Sequence, residues 1–166
     1  MKNSVSLFTA ALLTLGTFTF GQGGAVTANP VTASPSDHAH LMAAPSQVTL
    51  TFPKAINLKG AVFKIYVYPL SVMMKGDRAM NGAQMDVFAQ AAAQKFLPLE
   101  RDTANRVDTR RIGTEARTNK VVIGLKKNLK PGVYVTGWSL SSTAQKPSIG
   151  FVHFHFETGM TMPGSK

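Results

Sequence analysis

An all-β antiparallel sandwich is the fold this sequence predicts, and three observations predict it. Apolar and polar residues alternate with period two in short runs rich in Val, Ile, Thr and aromatic residues. Pro and Gly punctuate those runs. The chain of 166 residues, 44% hydrophobic and 16% charged, is long and apolar enough to bury the core of one domain.

The elements follow in order. In residues 47–52 (QVTLTF), Val48, Leu50 and Phe52 alternate with Thr49 and Thr51, and Pro53 is expected to end the strand. Residues 61–68 (AVFKIYVY) place Phe63, Ile65 and Val67 on one face and Lys64 on the other. Residues 120–125 (KVVIGL) make a third strand, and Pro131-Gly132 is a turn signal ahead of residues 133–140 (VYVTGWSL). The last strand, residues 149–157 (IGFVHFHFE), points Val152, Phe154 and Phe156 one way and Phe151, His153, His155 and Glu157 the other.

Between residues 71 and 119 the pattern changes. Met85, Phe88, Ala89, Ala92 and Phe96 recur at spacings of three and four. This predicts a short amphipathic helix over 81–95, with Asn81 as N-cap, inside a long middle insertion. Residues 101–118 are polar, mixed in charge and without a clear period.

Lys2, the uncharged stretch 5–20 and the run Ala25-Val26-Thr27-Ala28 predict a signal peptide over residues 1–28 and an exported, periplasmic or extracellular protein. Residues 29–46 then read as an extended leader, mobile over 29–37, and the start of the first strand region, residues 47–157 as the sandwich domain, and 158–166 as a flexible tail containing Met160 and Met162.

A net charge of +10 invites a nucleic-acid reading, but export and the lack of a recognised motif argue against one. The absence of cysteine excludes disulfides, thiolate zinc sites, iron–sulfur clusters, blue copper and a Cys nucleophile. No nucleophile signature or phosphate-cradling glycine loop stands out, so no enzyme is expected. One alternative is a metal-free interaction module. Its basic segment (Arg106, Arg110, Arg111, Arg117, Lys120, Lys126, Lys127, Lys130) would meet an anionic partner such as lipid headgroups. Asp102, Asp108 and Glu115 interrupt that segment.

The histidines carry the sharper signal. All four fall in two His-x-His pairs, His38-Ala39-His40 and His153-Phe154-His155. Residues i and i+2 of an extended chain project from one face, about 6.5–7 Å apart. Two such pairs supply up to four imidazole nitrogens to a shared ion, and imidazole suits copper, zinc or nickel. The competing reading is a polar solvent face on an amphipathic strand. Met160 and Met162, close in sequence to the second pair, are thioether candidates for Cu(I), whereas Met85 fits the packing face of the helix.

The segment His38-Ala39-His40 followed by 47–52 resembles the start of CopC-type periplasmic copper-resistance proteins, and Leu129-Lys130-Pro131-Gly132-Val133-Tyr134 leading to Trp138 resembles their later strands. Residues 146–150 (KPSIG), ahead of the alternating aromatic strand, are also similar. The resemblance covers about 38–52 and 129–156 and omits the longer middle. It implies an immunoglobulin-like, cupredoxin-like Greek-key sandwich that binds Cu(II) and/or Cu(I). It also implies sequestration or delivery, with an inner-membrane copper transporter or another periplasmic carrier as partner.

Two departures stand out. The family's Cu(II) site uses a histidine at the mature N-terminus, whereas cleavage after Ala28 leaves His38 behind residues 29–37. The family's Asp-Gly-His-Pro loop is matched here by Ala144, Gln145, Lys146 and Pro147, which removes both side-chain ligands. Met73, Met74 and Met80 fall where some family members carry a Met-rich segment.

Overall fold

The alternating runs of the sequence become two four-stranded sheets packed face to face. A computed structural model describes residues 31–75, 78–101, 104–141 and 147–158. The expected signal peptide, the loop residues 144–146, and Met160 and Met162 lie outside them.

The strands are β1 (Thr32–Ser34), β2 (His40–Leu41), β3 (Gln47–Asn57), β4 (Val62–Tyr68), β5 (Met74–Lys75), β6 (Arg78–Ala79), β7 (Asp108–Ile112), β8 (Arg117–Leu125), β9 (Gly132–Leu140) and β10 (Ser148–Phe156). One sheet runs β1-β3-β8-β7 and the other β2-β10-β9-β4, while β5 and β6 form a small ribbon. All neighbours are antiparallel except β2 and β10, which run parallel. Helix α1 (Gly82–Phe96) lies between β6 and β7 in sequence.

Between the sheets, Val48, Leu50 and Phe52 of β3 meet Ile65, Tyr134, Trp138, Val152, Phe154 and Phe156. These are the inward positions of the period-two pattern. The expected strand end at Pro53 is not observed: β3 continues to Asn57 through a register shift between Thr51 and Ile56. A bulge absorbs the proline, whose missing N–H breaks only local pairing. Part of the leader forms a strand of the sandwich. Ala33 of β1 packs on the core, and β1 pairs with β3.

The outward face of the β10-β9-β4 sheet is covered by α1. Tyr66, Val133 and Val135 meet Met85, Ala89, Ala93 and Phe96 in a second cluster. Asn81 caps the helix in a capping box with Gln84, at 2.9 and 3.0 Å. Gly137 lets the helix approach, since a Cβ there would lie 2.9 Å from Phe96 Cε2. Phe96 stacks on Tyr66 with ring centroids 4.2 Å apart.

Lys64, on the face opposite Phe63 and Ile65, is buried under this helix. Its ammonium donates to the carbonyls of Phe96 (3.0 Å), Leu97 (2.9 Å) and Leu99. A cation there satisfies carbonyls left open at the helix C-terminus and faces the negative end of its dipole. Lys64→Met is expected to destabilise the fold by about 1–3 kcal/mol, because it strands buried acceptors. An unchanged denaturant midpoint would contradict this.

The segment without a period contains edge strand β7, held by a buried carboxylate. Asp108 accepts from the Ile65 backbone N–H at 2.9 Å and binds Arg106 at 2.7 Å.

Candidate metal centre

Chain direction and register bring the histidines together. Asp37 and His38 form a turn in which His38 has φ of 61°, a left-handed conformation that costs a residue with a Cβ about 1–2 kcal/mol. The turn sends the chain alongside β10: His38 N–H donates to His153 O at 2.7 Å, and His155 N–H to Ala39 O at 2.8 Å. In the parallel pairing His40 stands opposite His155. The imidazoles therefore pair across strands. His38 and His153 have ring centroids 4.3 Å apart, and His40 and His155 4.5 Å. Within the second doublet the separation is 5.7 Å.

His155 Nδ1 lies 3.2 Å from His40 Nε2. The other pair is gathered around carboxylates. Asp86 of α1 places Oδ1 3.1 Å from His38 Nε2 and 3.3 Å from His153 Nε2. Asp37 Oδ2 is 3.7 Å from His38 Nε2, while its Oδ1 accepts from the His153 backbone N–H at 2.9 Å. Asp37, His38 and His153 each offer a ligand atom within 4.8 Å of the others. The first residue of the helix packs on this site: a Cβ on Gly82 would lie 3.7 Å from His38 Cε1.

His153 and His155 are buried, at 0% and 4% exposure, so the alternation does not mark a solvent face. The sequence pattern shows two faces of a strand but not that a helix covers the second. Burial lowers the His155 pKa to about 4, with the neighbouring His40, His153 and His38 acting in the same direction. Burial also lowers that of His153, opposed by the Asp37 carboxylate. Both rings are therefore held in the neutral form that ligates metals. His153 Nδ1 and His155 Nε2 have no partner among the described residues, although each is buried. A stranded buried nitrogen costs about 1–3 kcal/mol.

All four histidines singled out in the sequence thus meet, and their donor set fits a borderline transition metal. Asp37 and Asp86 were not singled out. Asp37 directly precedes a histidine doublet, which is a usable signal; Asp86 had none, because nothing in the pattern says which sheet face receives the helix. Met85 packs in the helix cluster as expected, and Met73 and Met80 pack against the same cluster.

No protein-family model and no curated protein matches the chain. Similar solved structures include PcoC, a methionine-rich copper-resistance protein from Escherichia coli, at 16% identity and TM-score 0.47 over 76% of this chain and 94% of that one. The selenomethionine form of PcoC matches at 16% identity and TM-score 0.45, covering 76% and 96%. CopC from Methylosinus trichosporium OB3b matches at 16% identity and TM-score 0.44, covering 76% and 90%. Copper-resistance proteins of the CopC type, the family that residues 38–52 and 129–156 resemble, are thus among the solved structures to which this chain is similar.

Proposed function

We propose that this chain is an exported, non-enzymatic copper-binding protein that sequesters or delivers the ion through His38, His40, His153 and His155. The observation that supports it is the cross-strand pairing of two imidazole doublets more than a hundred residues apart in sequence. Imidazole and carboxylate donors suit several divalent ions, and the Irving–Williams order favours Cu(II) among them. Met160 and Met162, which follow the second doublet in sequence, would serve Cu(I). A membrane copper transporter or a second carrier would be the delivery partner.

The anionic-partner reading has less support, because at least four of its cations are already engaged. Arg106 binds Asp108, Lys126 donates to Arg106 O at 2.6 Å, Arg111 to Glu115 O at 3.3 Å and Arg117 to Ala55 O at 3.4 Å. Salt-sensitive binding of metal-free protein to anionic vesicles would favour it instead.

The copper reading is tested by titrating Cu(II) and Cu(I) separately against a competing chelator. Changing all four histidines to Ala is expected to weaken binding more than about 100-fold, beyond the effect of losing a metal's outer-shell partner. Circular dichroism checks the fold, and the double variant His38→Ala/His40→Ala, at exposed positions, gives the same test should the buried substitutions unfold the chain. Affinity equal to wild type in a folded variant would overturn the site.

A further inference from the structure

We propose that the cluster holds two ion positions of unlike chemistry, and that Asp86 on the helix is a ligand of only one. This rests on the copper reading above. Two ligands bonded to one ion at about 2.0–2.1 Å, with angles of 90–110°, lie about 2.9–3.4 Å apart. Asp86 Oδ1 meets that separation with His38 Nε2 (3.1 Å) and with His153 Nε2 (3.3 Å). His40 Nε2 and His155 Nδ1, 3.2 Å apart, meet it independently. Each β10 imidazole turns its paired nitrogen toward its own partner, and the two rings are stacked 5.7 Å apart, one strand repeat along the sheet.

The positions differ in charge. The first has two carboxylates, Asp86 and Asp37, which compensate a divalent ion beside a buried ring. Uncompensated charge at such depth is costly, so this position takes the divalent ion tightly. The second has two imidazoles and no carboxylate in the contacts described for it, so it takes a second equivalent more weakly. Helix α1 joins the site because Phe96 and Ala93 seat it over Gly137, which carries Asp86 to the two imidazoles.

Cu(II) is the probe, followed by competition titration of wild type, Asp86→Asn and His40→Ala. Both substitutions are on solvent-accessible side chains, and Asn keeps the shape of Asp. Wild type is expected to bind two equivalents, one tight and one weak. Asp86→Asn should weaken the tight step at least tenfold, no less than the loss of a ligand's outer-shell partner does, and leave the weak step within about twofold. His40→Ala should do the reverse. An unchanged tight step in Asp86→Asn overturns the proposal while leaving the copper reading intact. A single equivalent weakened by both substitutions also overturns it, in favour of one shared ion. Absence of Cu(II) binding by wild type overturns the copper reading itself.

Discussion

Lowering the pH of the metal-free protein from 7 to about 4.5 is expected to remove about 2–3 kcal/mol of stability through His155 alone. Above pH 6.5 neither the folded nor the unfolded chain protonates this ring, and it contributes no pH dependence. Between 6.5 and about 4 the unfolded chain binds the proton and the buried ring does not, so unfolding is favoured progressively. Below about 4 both states are protonated and the loss saturates. His153 acts in the same direction. Denaturant midpoints at the two pH values, for wild type and His155→Gln, isolate the effect. Equal acid sensitivity in the two proteins would contradict it. Copper opposes the loss near neutral pH, because a ligand of the folded state alone stabilises by mass action.

Replacing Gly137 by Val is expected to destabilise the fold by about 1–3 kcal/mol, as overpacking does in a close-packed interior, and to weaken copper binding as well. Even the first side-chain carbon would lie 2.9 Å from Phe96 Cε2 and Cζ and 3.2 Å from the Ala93 methyl. These are helix atoms, so relief requires α1 to lift from the sheet. Asp86 travels with the helix, away from His38 and His153. Thermal unfolding reads the first effect and Cu(II) competition the second. A variant of normal stability and normal affinity would show that the helix does not position the site.

Much of this was legible in residue order. The inward alternation Val48-Leu50-Phe52 and Val152-Phe154-Phe156 marks the core faces, and Asn81 marks the helix start. The same alternation sets His153 and His155 on one face, but it says nothing about what covers that face. Polar residues at outward positions look like a solvent side, whereas here the helix and the Asp37–His38 turn close over them. Strand β7 (DTRRI) has no apolar alternation to mark it, because it pairs with β8 as an edge strand of mostly polar residues. Pro53 was legible as a disruption but not as a bulge, since one missing donor does not reveal whether the partner strand continues. The pairing of doublets across strands rather than within each doublet depends on the parallel register of β2 and β10, which spacing along one strand cannot encode.

The most direct measurement is the nuclear magnetic resonance of the histidine ring nitrogens while substoichiometric Cu(II) is added at neutral pH. Paramagnetic broadening should reach His38, His40, His153 and His155 together, before the resonances of the distant β7 edge strand. Broadening confined to one doublet, or centred elsewhere on the protein, would contradict a copper centre assembled from both ends of the chain.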